Sequence, residues 1–280
     1  MIKINKLEFS YPHTKLFSDL SLNLEKGCIA GLLGKNGSGK TTLLKIIAGL
    51  VFPQAGSCQI MEQIPKKRLP SFLVDIYYLA EDLYVPALTA KEYIKFYTPF
   101  YPKFDLSLFN TYLNEFALPE DKLLPTLSHG QKKKFLIAFG LATQCKLLIL
   151  DEPTNGLDIP SKAQFRKLLA GAINEERLFI ISTHQVHDVE NIIDYTIILE
   201  EGKIIFQQSL LTIAKYLAFK ISPMPPDPAN CFYYEKHLNG YTSVMINQDH
   251  QETEIDLEIL FNAVLANRNK LQQLFNEVQS

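Results

Sequence analysis

GLLGKNGSGKTTLLKIIAGL, residues 31–50, joins an apolar run to a helix-like pattern through a loop of three glycines that closes on Lys-Thr-Thr. The loop fits G-x-x-x-x-G-K-[ST] at Gly34, Gly39, Lys40 and Thr41. Glycines let successive backbone N–H groups turn inward with no Cβ in the way. Those donors and the following helix N-terminus form a cradle for anionic oxygens. Lys40 is placed to reach β- and γ-phosphates, and the Thr41 hydroxyl to meet Mg²⁺. The apolar run CIAGLLG (28–34) reads as a buried strand before the loop. Leu43, Leu44, Ile47 and Leu50 give helical spacing after it, and Gly49 stands where a helix commonly stops. The stretch predicts strand, loop and helix, hence a bound nucleoside triphosphate.

The rest of the chain alternates in the same way. Residues 2–9 and 20–24 suggest two strands, and 72–80 another. From about 87 to 145, aromatic and aliphatic residues recur at helical spacing between prolines, which reads as a helical insertion. KLLILDEP (146–153) is a buried strand, KAQFRKLLAGAI (162–173) a helix, LFIISTH (178–184) a strand and YTIILEEGKII (195–205) a hairpin. Alternating strands and helices predict a mostly parallel α/β sheet. ISPMPPDPAN (221–230) holds four prolines and reads as a linker. Beyond it, Asn239-Gly240 signals a hairpin, and 256–275 reads as one amphipathic helix.

Composition narrows the class. The chain has 280 residues, 47% hydrophobic, with a formal net charge of -2. That is ordinary for a globular protein and gives no global electrostatic case for nucleic acid or an anionic membrane. Cysteines 28, 58, 145 and 231 form no CxxC pair, so neither zinc nor redox chemistry is indicated. The N-terminal MIKINKLEFSYP has no apolar signal core, and no apolar run approaches the ~20 residues of a membrane span, so a soluble chain is expected. The lysine run 132–134 reads as a solvated helix face.

LLILDEP adds the second part of a site. A buried strand running into Asp151 brings a carboxylate to the edge of a parallel sheet, beside the loop. Asp151 is placed to hold the Mg²⁺ shell. Glu152 follows directly and suits the polarisation of an attacking water as general base.

The third part is LSHGQ (127–131). Here the sequence resembles the ATP-binding subunits of ABC transporters, whose signature is usually written LSGGQ. The resemblance covers about residues 1–210. It implies a P-loop NTPase core of mostly parallel sheet, with N-terminal antiparallel strands and a helical insertion at about 82–145. The nucleotide-binding unit then spans 1–215, and a small α+β extension, hairpin plus helix, spans 216–280. The resemblance places ATP on the loop residues Gly34, Asn36, Gly37, Ser38, Gly39, Lys40, Thr41 and Thr42. It puts Tyr11 where an aromatic stacks on adenine. It assigns Glu152, His184 and Lys40 to catalysis, His184 through the γ-phosphate. Ser128, Gly130 and Gln131 become the signature contacts, and Asp158, closing NGLD, the residue that touches the opposing subunit. Thr41, Asp151 and Glu81 would meet the metal.

Two positions depart from the family pattern. His129 replaces a glycine, so its side chain is expected to point away from the nucleotide. Glu81, in YYLAEDLY, stands where glutamine is usual and adds a negative charge beside a triphosphate. The family implies ATP and Mg²⁺ as cofactors and a nucleotide sandwich between two chains. With one copy of each motif, this is most simply a homodimer. It implies a polytopic membrane permease as partner, met around residues 82–101, no nucleic acid, and a place at the inner face of the cell membrane. The tail resembles extensions on ATPases of ABC-2 exporters. An alternative is a soluble ATPase of the same family acting on ribosomes or nucleic acid. Such proteins carry two of these domains or long coiled coils, and this sequence shows neither.

Overall fold

The computed structural model describes residues 1–119, 122–238, 240–248 and 253–279. The chain opens with β1 (Ile2–Tyr11) and β2 (Thr14–Leu24), then β3 (Cys28–Leu33) and α1 (Lys40–Ile47). Next come β4 (Ala55–Ile60), α2 (Pro70–Leu73) and β5 (Ile76–Leu79). The expected strand 72–80 is thus short: Pro70 opens a helical turn, as proline at a first helical position does. Three helices follow, α3 (Ala90–Tyr97), α4 (Leu106–Glu115) and α5 (His129–Ala142). Then come β6 (Leu147–Asp151), α6 (Ile159–Ala172), β7 (Leu178–Thr183), β8 (Tyr195–Glu200) and β9 (Lys203–Ser209). The remainder is α7 (Leu210–Tyr216), β10 (Leu217–Ser222), β11 (Cys231–His237), β12 (Gly240–Ile246), α8 (Leu257–Ala266) and α9 (Arg268–Gln279).

The central sheet runs β5-β6-β7-β3-β8-β9, parallel except for β9. Every residue of β6 and β7 is buried, which explains their unbroken apolar runs. A second sheet, β2-β1-β4, is antiparallel and covers α1 through Phe17, Leu20 and Ile4. Between β5 and β6 the helical insertion packs on aromatic rings. Phe139 meets Tyr93 at 5.0 Å and Phe104 at 5.1 Å, while Tyr97 stacks on Tyr93 at 4.1 Å. Its helices start at side-chain caps: Thr89 with Glu92 for α3, Asp105 for α4, Ser128 with Gln131 for α5.

The C-terminal part forms a third sheet, β10-β12-β11, beneath α8. Here two expectations change. The linker read at 221–230 begins inside a strand: Ile221 and Ser222 end LAFKIS (217–222), which pairs with β12 before the prolines. The terminal helix is two helices, broken at Asn267, whose side chain turns back to the Phe232 carbonyl. Asn239 of the expected hairpin turn lies outside the described residues, though Gly240 opens β12. The extension packs on the core: Phe275 meets Phe206 edge-on at 5.4 Å, and Gln272 Nε2 donates to the Ile205 carbonyl at 3.2 Å.

Candidate functional site

The strand order β6-β7-β3 sets three loops side by side at the C-terminal edge of the sheet, where ligands of open α/β sheets bind. These are the turn after Asp151, the segment from His184 and the glycine loop. Register fixes their heights, with Leu33 level with Thr183 and Asp151 level with Ser182. Side-chain space then shapes the loop. A Cβ on Gly34 would stand 2.4 Å from the Leu199 carbonyl oxygen and 2.6 Å from Ser38 Oγ. Gly39, at φ 109°, has Phe17 against it at 2.8 Å. Neither position admits a larger residue without moving the loop.

Lys40 is buried at the start of α1. Its Nζ donates to the Gly34 carbonyl at 2.7 Å and the Lys35 carbonyl at 3.3 Å, and lies 3.7 Å from Glu152 Oε1. Asp151 is fully buried. Its Oδ1 accepts from Ser182 Oγ at 2.5 Å, its Oδ2 from the Tyr78 hydroxyl at 3.3 Å. Those two contacts fix the direction in which the carboxylate points. On the other side, burial and the Asp151 charge push the Tyr78 hydroxyl well above its ordinary value.

Glu152 leaves the strand at φ 47°, a left-handed conformation uncommon for a residue with a side chain. Its N–H donates to the Ser182 carbonyl at 3.1 Å and to Ser182 Oγ at 3.0 Å. Its Oε1 accepts from His184 Nδ1 at 2.9 Å, so that nitrogen carries the proton when the carboxylate is ionised. Its Oε2 is buried without a partner among the described residues. Such an orphan costs about 1–3 kcal/mol and marks an acceptor awaiting a ligand.

A cavity of about 470 Å³ gathers most of the expected residues. Asn36, Gly37, Gly39, Lys40, Thr41 and Thr42 form its floor. Tyr11, Glu81, Glu152 and His184 form its walls. Tyr11 is half-exposed at the rim, edge-on to Phe9 at 4.9 Å, its hydroxyl 3.2 Å from Thr42 Oγ1. Glu81 is tied by Asn155 Nδ2 at 3.3 Å to the turn after Glu152. Ser38 and Asp151 stand behind this lining.

Ser128, Gly130, Gln131 and Asp158 do not line the cavity. Ser128 Oγ accepts from the Gln131 N–H at 3.2 Å, and Gln131 Oε1 from the Ser128 N–H at 3.0 Å, so both cap α5. Asp158 caps α6 by accepting from the Ser161 N–H at 2.9 Å, and the Ser161 bonds hold its carboxyl below the usual range. His129 faces its own chain's Gly156, where a Cβ would lie 3.0 Å from Nδ1.

The lysine run 132–134 is not a solvated face. Lys133 is wholly buried, and its Nζ donates to the Glu152 and Asn155 carbonyls at 2.9 Å each. Burial pulls its pKa down, against Glu81, Glu152 and Asp151 nearby. Sequence reasoning missed it, although Lys133 shares a helical face with Ile137 and Leu141, both wholly buried. Ser182 and Tyr78, which hold Asp151, carried no sequence signal.

A glycine loop at one strand end, an acidic pair two strands away and a histidine between them define a P-loop nucleotide-hydrolysing domain. A protein-family model described as ABC transporter matches residues 17–155. The ABC transporter ATP-binding protein YtrB of Bacillus subtilis is 31% identical over 206 residues, 73% of this chain and 70% of that protein. The bacitracin transport ATP-binding protein BcrA of Bacillus licheniformis is 32% identical over 233 residues, 79% and 75% of the two chains. An ATP-binding cassette, solved as a dimer in a post-hydrolysis state with ADP and Pi, superposes with a TM-score of 0.66 at 21% identity, over 75% of this chain and 99% of its own. This chain belongs to the ABC transporter family, as an ATP-binding, ATP-hydrolysing subunit.

Proposed function

We propose that the 470 Å³ cavity holds ATP with Mg²⁺, and that Glu152 activates the water which attacks it. The observation that carries this reading is the convergence of Lys40, Asp151, Glu152 and His184 on one site, with Glu152 Oε2 buried and unpartnered. The donors suit the ligand. The loop has no room for a Cβ at Gly34, Ser38 Oγ is a second buried atom without a hydrogen-bond partner among the described residues, and Lys40 supplies the countercharge. Among the described residues no cluster of three or more His, Cys, Asp or Glu is poised for a metal. One carboxylate and one hydroxyl, Asp151 and Thr41, suit Mg²⁺, which keeps waters and phosphate oxygens in its shell. When bound, that ion supplies charge neutralisation to the transferring phosphoryl group. Glu152 takes the water's proton, while His184 Nδ1–H keeps its carboxylate oriented.

The signature Ser128–Gln131 stands off its own cavity, so we assign it to the cavity of a second copy, most simply in a homodimer. Closure then completes the site, and hydrolysis follows closure. The reading includes a polytopic membrane permease as the partner that closure drives, with the chain held through it at the inner face of the cell membrane. No helix among the described residues is long and apolar enough to cross a membrane. Exposed Tyr84, Phe96 and Phe100 support docking at 82–101, because aromatics on a surface suit interfaces. The neighbouring Tyr93 is instead core. We divide the chain accordingly, 1–215 for nucleotide with its helical part at 82–145, and 216–280 as an extension of the ABC-2 exporter kind.

The test is ATPase activity of wild type against Glu152→Gln. The variant is expected to bind ATP, to dimerise more stably with it, and to hydrolyse about 10²- to 10⁴-fold more slowly. Equal hydrolysis by both removes Glu152 as the base.

A further inference from the structure

A second cavity, of about 640 Å³, shares Asn36 and His184 with the first and brings α8 of the C-terminal extension to it. Lys35 and Asn36 of the glycine loop, His184 and His187 after β7, and Glu258 and Phe261 of α8 share its wall. Helix α8 packs directly on the turn Val186–Asp188. There His187 Nε2 lies 2.6 Å from Glu258 Oε2, and His187 Nδ1 lies 3.3 Å from Glu190 Oε2. Both ring nitrogens face carboxylate oxygens. A neutral imidazole donates through only one nitrogen, so this geometry is made for the imidazolium. The same turn is held from α6, where Lys162 Nζ donates to Asp188 Oδ1 at 2.8 Å. The segment that presents His184 to Glu152 is thus pinned from the core on one side and from the extension on the other.

We propose that Glu258 is a positioning residue for ATP hydrolysis: paired with protonated His187, it steadies the segment that carries His184, and loss of the His187 proton frees it. This rests on the roles given above to His184 and Glu152. The extension then acts on the ATPase rather than merely covering its core.

The charges around His187 favour the cation. Glu190 faces it from its own segment, while Asp188 shares the cavity wall with it and is engaged by Lys162. Glu258 faces it from α8, while Glu254 and Asp256 share the adjoining groove with it. Asp256 is occupied in capping α8. Lys35 and His184 stand across the cavity. Burial lowers the His187 pKa, but Glu190 and then Glu258 outweigh it and raise the value above 6.5. A raised folded-state value gives a contribution that is complete below 6.5 and lost as pH rises through the higher value.

The experiment is steady-state ATPase activity of the full chain from about pH 6 to 9, across the His187 titration. Wild type should show a step of falling kcat as pH rises. For an exposed pair the step is about two- to fivefold. Glu258→Gln and His187→Gln should lose that factor at low pH, flatten the step and leave KM for ATP unchanged. His187→Lys, a cation that does not titrate here, should keep the low-pH rate and lack the step. Removing the Glu258 charge also weakens α8 slightly through the helix dipole, but that effect is constant over this range and cannot imitate a step. The proposal is overturned if Glu258→Gln and His187→Gln reproduce the wild-type profile while His184→Ala is defective. If His184→Ala also hydrolyses normally, the site assignment fails with it.

Discussion

Replacing Lys133 with methionine should damage the site from behind. Methionine keeps most of the side-chain length and removes the ammonium. Two carbonyls then lose a donor at 2.9 Å, those of Glu152 and Asn155. The losses are unequal. The Glu152 carbonyl keeps a weak bond from the Asn155 N–H at 3.3 Å, whereas that of Asn155 gives up its charged donor. Hydrogen bonds to charged groups contribute about 1.5–3 kcal/mol each, and relief from burying an ammonium offsets part of the sum. A net loss of about 2 kcal/mol remains, which for a chain of this size lowers Tm by about 4 °C. The effect on catalysis should be larger. Lys40 lies beside Glu152, and Lys133 lies near Glu81, Asp151 and Glu152. Its loss makes the pocket more negative toward a triphosphate and releases the backbone that carries Glu152. ATPase activity well below Tm should fall about tenfold or more, with KM for ATP raised. Lys132→Met and Lys134→Met are the controls, since both side chains are only half-buried and should change stability by no more than ~0.5 kcal/mol. The reasoning is refuted if Lys133→Met matches its two neighbours in Tm and in kcat/KM.

Ser182→Ala should cost about 1–3 kcal/mol, because one hydroxyl serves the Asp151 carboxylate and the Glu152 N–H. It should also raise the Mg²⁺ concentration needed for half-maximal hydrolysis; an unchanged Mg²⁺ titration would show that Asp151 needs no such support. Asp75 sits between Lys103 Nζ at 2.9 Å and Lys146 Nζ at 3.1 Å. Burial raises its pKa, the two lysines outweigh this, and the value falls below 3.8. Its contribution is therefore present above pH 3.8 and lost as pH drops through the lowered value, so Asp75→Asn should lower Tm near neutrality and cease to matter in acid. Thermal melts at the two pH values check it, and a difference that persists in acid would contradict the assignment.

The parts of the site that follow from local chemistry were legible in the sequence. A loop that must approach a ligand closely needs glycine, a buried parallel strand needs an unbroken apolar run, and both leave short patterns. Lys133 escaped because a run of like charges looks solvated unless the helix is followed inward to Ile137 and Leu141, where α5 is buried on nearly every side. Tyr78 and Ser182 escaped for another reason. Their partner Asp151 lies 73 and 31 residues away, and only the register of β5, β6 and β7 brings them to it. The strand Leu217–Ser222 was hidden by the prolines after it, since its pairing to β12 depends on a hairpin far along the chain.

Glu152 shows why so many supports are needed. A residue at φ 47° with an unpartnered carboxylate oxygen in a buried site carries two unfavourable terms at once. Backbone strain of this kind amounts to about 1–3 kcal/mol and persists only where surrounding contacts over-determine it. The supports come from separate elements. Ser182 on β7 takes the N–H, Lys133 on α5 takes the carbonyl, and His184 takes Oε1. Because α5 is capped by Ser128, the contact proposed there with a second copy would have a short path to the Glu152 backbone through the first turn of that helix and Lys133. The same residue is pinned from the far side by the segment that His187 and Glu258 steady. On the proposed reading, closure of two copies and the state of the extension would both bear on one carboxylate, whose orphan oxygen is the atom through which a water would be drawn toward the phosphate.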